Sequence, residues 1–208
     1  MANKKRQEEN RQTSQNKIKN QKYEAATKSL PIFPIIALAV SVLVLVLFFV
    51  TFADVYNQGT VEVKVSGWSF VIAGLTGNYT SPNKVYGDMA MPFYAFAKEW
   101  VETVSVVALI AMLVLVATIV MQVVTLVTKS HMLNSVSAVL SVVAAVLLII
   151  CYAECLDMKN AKIISDYCRN PVCVIRSVAI FPAIVSLLSG AVSAFATAKY
   201  MKAQKILK

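Results

Sequence analysis

The chain has 208 residues, 58% of them hydrophobic and only 15% charged, with a formal net charge of +9. That proportion of apolar residues is too high for a soluble domain of this length, and it excludes a disordered or nucleic-acid-wrapping polypeptide despite the basic balance. The location of the charges therefore matters more than their sum.

Residues 1–30 are rich in Lys, Gln and Asn and hold hardly any apolar side chains before Tyr23. Such a segment cannot bury a core, and it reads as a basic cytoplasmic arm without fixed structure. Four long apolar runs follow, at residues 32–53, 103–128, 132–153 and 177–198, none containing Asp, Glu, Lys, Arg or His. At about 1.5 Å per residue each run spans a hydrocarbon core of roughly 30 Å, where a helix is the open-chain way to satisfy backbone polar groups. The expected fold is an all-α integral membrane protein, a four-transmembrane-helix bundle spanning 31–198 with a small β-rich extracytoplasmic loop. Residues 199–208 form a basic tail. Thirteen of the twenty Lys and Arg fall on the side of the termini and the 129–131 turn, and seven fall in the loops 54–102 and 154–176. The positive-inside rule then places both termini in the cytoplasm of a multi-pass cell-membrane protein. The first run is too long, and starts too late, for a cleaved leader, so it is expected to remain as an anchor.

In the first outer loop Val61, Val63 and Val65 alternate with polar residues, the period of a half-buried strand. Trp68, Phe70, Val71 and Ile72 form a second apolar stretch closed by Gly74 and Gly77, from which a hairpin or two- to three-stranded sheet is expected. Phe93, Phe96 and Trp100 fall at helical spacing before the second span, as an aromatic lead-in at the headgroup level. Trp68, Phe70 and Trp100 are the candidates for contact with a partner; the alternative for Trp68 is a buried anchor of the sheet. This order of parts, with Gly67, Trp68, Gly74 and Leu75 in the first outer loop and a shorter second one, resembles the claudin-like tetraspan layout. No cysteine stands in that loop, so the resemblance implies an architecture and no paracellular activity.

Within the spans, Ser137, Ser141 and Ala145 recur every fourth residue on the third run, and Ser186, Gly190, Ala194 and Ala198 do so on the fourth. Small side chains on one face let helix backbones approach closely, so both stripes read as helix packing surfaces, within one bundle or between copies. No ionisable group lies at depth, as ion- or proton-coupled carriers usually require.

Cys151, Cys155, Cys168 and Cys173 gather at one end, and their number and shared outer location favour structural disulfides, with three pairings open. Zinc ribbon spacing is absent. Quinone-linked four-span thiol oxidoreductases also hold cysteine pairs at one end of a bundle, but they need a Cys-x-x-Cys that this chain lacks. The single His131 anchors no catalytic constellation, no phosphate-cradling glycine loop occurs, and no cofactor, small-molecule substrate or nucleic acid is indicated. The partners expected are the lipid bilayer and a membrane protein, or a second copy of the chain. The expected function is a non-enzymatic accessory subunit, scaffold or adhesion-type tetraspan. An oligomeric channel or transporter subunit and a membrane thiol–disulfide oxidoreductase are the alternatives.

Overall fold

A computed structural model describes residues 16–21, 32–57, 60–77, 98–128, 130–157 and 172–207. The expectations for the rest of the basic arm, for Phe93 and Phe96 and for Cys168 lie outside these residues, as do the side chains of Trp100 and Cys173. The chain is mostly helical. Beyond a short helical stretch at 16–21, the elements are α1 (Ile32–Leu47), β1 (Thr51–Asn57), β2 (Thr60–Ser66), α2 (Gly67–Thr76), α3 (Lys98–Thr128), α4 (His131–Asp157), β3 (Val172–Ile175), a 3₁₀ turn (Ser177–Ile180) and α5 (Phe181–Leu207).

Among the described residues three helices are long and apolar enough to cross a membrane, within 101–128, 131–156 and 177–203. They coincide with the second, third and fourth apolar runs. The first run departs from expectation. Its α-helix covers 16 residues, about 24 Å. Phe48, Phe49 and Val50 then continue it with i→i−3 hydrogen bonds to Leu45, Val46 and Leu47 at 3.1–3.2 Å. The chain is already a strand by Thr51, so residues 51–53 belong to a sheet and not to a span. Helix α1 packs on α3 and α5, and α4 packs on the same two, which sets α1 and α4 diagonally across the bundle.

The sheet has the order β2–β1–β3, antiparallel throughout. The alternating valines do form a strand, with Val63 opposite Val55 and Val65 opposite Ala53. The second apolar stretch does not. Residues 67–76 are helical, because Ser66 caps the start by accepting from the Ser69 amide and Gly77 ends it in the left-handed conformation at φ 65°, where glycine has no steric penalty. A short apolar run is ambiguous between strand and helix, and here the caps decide. Helix α2 lies against α3 so closely that a Cβ on Gly74 would stand 2.7 Å from the Ser105 carbonyl oxygen.

Buried apolar side chains concentrate at the sheet-bearing end, where Phe48, Val65, Phe70, Val71, Val104, Leu115 and Leu148 form one cluster. Toward the opposite end the buried residues are small or polar, among them Ser41, Gln122, Asn134, Ser137, Ser141, Ser186, Ser189 and Ser193.

The α4–α5 contact yields a direct expectation. A Cβ at Gly190 would meet Ser141 Cβ at 3.2 Å and the Ala138 carbonyl oxygen at 3.3 Å, whereas Leu188 is 55% exposed on the outer surface. Gly190→Leu should therefore separate α4 from α5 and cost about 2–4 kcal/mol. Leu188→Ile, by contrast, should change stability by less than about 0.5 kcal/mol. Thermal unfolding in mild detergent distinguishes them, and equal melting temperatures would remove the assignment of Gly190 to a close helix contact.

Candidate functional site

At the sheet-bearing end, two distant parts of the chain are joined by one residue. Arg176 follows β3 directly and precedes the 3₁₀ turn into α5. Its amide donates to the Phe52 carbonyl at 2.8 Å and its carbonyl accepts from the Ala179 amide at 3.0 Å. Its side-chain Nε donates to Asp54 Oδ2 at 2.6 Å. Asp54 is fully buried on β1, while the Arg176 side chain is about half exposed. A buried carboxylate requires such a partner, since its desolvation is otherwise uncompensated. Asp54 Oδ1, the other oxygen, has no hydrogen-bond partner among the described residues. The sequence carries little signal for this ion pair beyond a lone acid following the first apolar run and a lone arginine preceding the fourth.

The three contact candidates separate. Trp68 is half-buried and stacks on Phe49 with centroids 5.4 Å apart, and its amide donates to the Phe48 carbonyl at 2.8 Å. It anchors α2 to the end of α1. Phe70 is wholly buried in the core cluster, so it is a packing residue and offers no surface to a partner. Trp100 has its backbone in α3.

The cysteines depart from the expected pattern. Cys151 carries a free thiol, and it and Cys155 are both buried in the core cluster. Residues four apart share a helix face. Here that face points into the bundle core. Cys173 lies on β3 opposite Val55. A two-bridge staple drawing on Cys151 is therefore not what the structure holds. Among the described residues no group of three or more His, Cys, Asp or Glu is placed to hold a metal ion.

The second polar feature runs through the bundle away from the sheet. The Ser189 hydroxyl donates to the Ala37 carbonyl at 3.0 Å and accepts from Gln122 Nε2 at 3.0 Å. It also lies 2.7 Å from Ser41 Oγ. A hydroxyl has one proton, so with that proton on Ala37 the Ser41 hydroxyl must be the donor of this last bond. Three groups from α1 and α3 thus meet at one oxygen of α5. One turn on, Asn134 Nδ2 donates to the Ser193 carbonyl at 2.7 Å and to Thr197 Oγ1 at 3.0 Å. Ser186 donates to the Ser141 carbonyl at 2.9 Å.

Of the predicted packing stripes, Ser137, Ser141 and Ala145 are all buried. On α5, Ser186 and Gly190 are buried, but Ala194 and Ala198 are exposed. A strict four-residue repeat rotates about 40° per step around a helix of 3.6 residues per turn, which carries the stripe off the contact face. The contact continues instead through Ser189, Ser193, Ala196 and Thr197.

No protein-family model matches the chain, and no curated protein and no solved structure matches it either.

Removing Arg176 tests whether the ion pair secures the sheet. Arg176→Ala leaves Asp54 buried without its cation and should lower stability by about 1–3 kcal/mol. The Asp54→Ala, Arg176→Ala double variant should lose less than the sum of the single changes. Thermal unfolding of the four proteins in detergent measures this cycle, and strict additivity would show that the pair contributes nothing as a pair.

Proposed function

We propose that the protein is a non-enzymatic four-span scaffold or accessory subunit of the cell membrane, which engages a membrane-protein partner through its sheet-bearing end on the extracytoplasmic side. The observation that carries this reading is the cap itself: two separate loops contribute strands to one sheet, and Arg176 ties that sheet to the bundle. Among the described residues β2 and β3 are the sheet's edges, and Lys64 on β2 is exposed. A strand edge offers unpaired backbone groups to an added strand or loop of a partner.

Four spans are supported by the length of α1 with its tight continuation. The 16 α-helical residues rise about 24 Å and the three that follow add about 2 Å each, giving roughly the 30 Å of a hydrocarbon core. The orientation rests on the distribution of Lys and Arg. In this reading the claudin-like layout is one of architecture: four helices with a β-containing cap. The interior favours a scaffold over a carrier, because the buried polar groups at depth are neutral and several of them bond across the chain's own helices, Gln122 to Ser189, Asn134 to Ser193 and Thr197, and Ser186 to Ser141, while Gln122 Oε1, Asn134 Oδ1 and Ser193 Oγ have no partner among the described residues. Gln122 in particular faces α5 of its own bundle.

Two measurements test the proposal. In a cysteine-free variant, a membrane-impermeant thiol reagent on intact cells should label Thr80→Cys and Asn160→Cys but not Asn10→Cys or Lys205→Cys. Labelling at position 10 would reverse the orientation. A photo-crosslinking residue replacing Lys64 should then capture a discrete protein in the native membrane, whereas the same residue at Leu188 captures lipid. Protein capture at 188 and none at 64 would refute the sheet edge as the partner surface.

A further inference from the structure

On the bundle's outer surface, away from the sheet, α4 and α5 leave between them an open groove of about 620 Å³. Its lining is entirely apolar: Ala138, Val139 and Val142 from α4, and Leu187, Gly190 and Ala194 from α5 are among the residues that form it. Small side chains create the depth. Ala138 and Gly190 are buried between the helices, while Val139 and Leu187 stand exposed at the sides. Buried small residues alone would indicate only helix contact, but the same face of α5 continues into a charged end. At 100° per residue, Leu187, Ala194, Ala198 and Lys205 fall within about 40° of one line along the helix, and Lys202 lies about 60° from it. Both lysines are exposed. Lys205 stands eleven residues beyond Ala194, about 16 Å along the axis, close to half of a roughly 30 Å hydrocarbon core. Lys199 is turned the other way. Its ammonium sits 4.9 Å from the Phe33 ring and 5.0 Å from the Phe195 ring, which leaves the groove side to Lys202 and Lys205.

From this juxtaposition we propose that the α4–α5 groove is a binding site for one anionic phospholipid, its acyl chain seated along Ala138, Gly190 and Ala194 and its headgroup phosphate on Lys202 and Lys205. The spacing favours a lipid over a second helix. A helix docking in the groove would carry its own polar end to the interface, whereas a lipid presents an apolar chain and a fixed negative charge one leaflet's depth apart, as the groove and the lysines are. The site goes beyond the scaffold reading and does not require it, since it depends only on the bundle lying in a bilayer.

Native mass spectrometry of the full chain in mild detergent, with phosphatidylglycerol or phosphatidylcholine of the same acyl composition added, tests the site. The wild-type protein should retain one phosphatidylglycerol per chain with about thirtyfold preference over phosphatidylcholine, the selectivity expected when two lysines face the headgroup. Lys202→Gln with Lys205→Gln should abolish that preference, while the same change at Lys17 and Lys19, exposed on the 16–21 stretch outside the groove lining, should leave it intact. Ala194→Phe fills the groove from an exposed position and should lower retention of both lipids. The lysine variants keep the test decisive if the Phe variant proves unstable. Equal retention of the two lipids by the wild-type protein would overturn the proposal. So would loss of preference in the Lys17/Lys19 variant, or a wild-type dimer that Ala194→Phe dissolves without changing lipid retention.

Discussion

Inside a bilayer, helices gain no hydrophobic free energy by leaving lipid for one another, so cohesion has to come from close dispersion contact and from hydrogen bonds between helices. In this chain α5 supplies both. Gly190 allows its backbone to approach α4, and one turn of the same helix carries Ser189, whose oxygen receives or gives bonds to α1 and α3. Each such bond contributes only about 0.6 kcal/mol on average in a membrane bundle. Three of them at one atom nevertheless fix the relative height and rotation of three helices. A slide of α1 by one residue would remove the Ala37 carbonyl and the Ser41 hydroxyl together.

The two ends of the bundle are consequently held by different means. Near the sheet, large side chains such as Phe48, Phe70 and Leu115 fill the space between helices, and the core there resembles that of a soluble domain. Toward the 130 turn, serines, Asn134 and Gln122 replace them, and the Asn134 amide and the Ser186 hydroxyl donate to carbonyls across α4 and α5. The division follows from what sits outside each end. The sheet and α2 present apolar faces that need covering, and Gly67 brings the chain so near Phe52 that a Cβ there would lie 2.6 Å from its ring. Among the described residues the other end bears no sheet, and α3, α4 and α5 pack on one another there.

Much of the helical frame is legible in the sequence because the relevant signal is local. Runs without a charge over more than twenty residues require helices in lipid, and the alternation of Val61, Val63 and Val65 requires a strand. The remainder depends on partners far along the chain. Nothing near Asp54 announces a strand, since β1 exists only through pairing with β2 and with β3 some 120 residues later. The ion pair that fixes this pairing joins residues 122 apart. Helix α2 was within reach, because Ser66 and Gly77 bracket it as caps, but an apolar stretch of five residues reads equally as strand. Cys151 and Cys155 suggest a bridge by their number; only the rotation of α4 shows that they face the core.

The positions of β1 and β3 also govern how the cap relates to the membrane helices. β1 follows α1 after a three-residue turn, and β3 enters α5 through Arg176 and one 3₁₀ turn. These are the two helices that Ser189 and Ser41 join in the interior. The sheet is thus built on the ends of an already coupled pair, with Arg176 bonded to Phe52 and Asp54 across the gap. Any displacement of β1 against β3 would break the register of the sheet, and any displacement of both together would have to bend the two junctions at 48–50 and 176–180. A cap so constrained presents its β2 edge at a fixed height above the bundle, which is what a rigid contact surface requires.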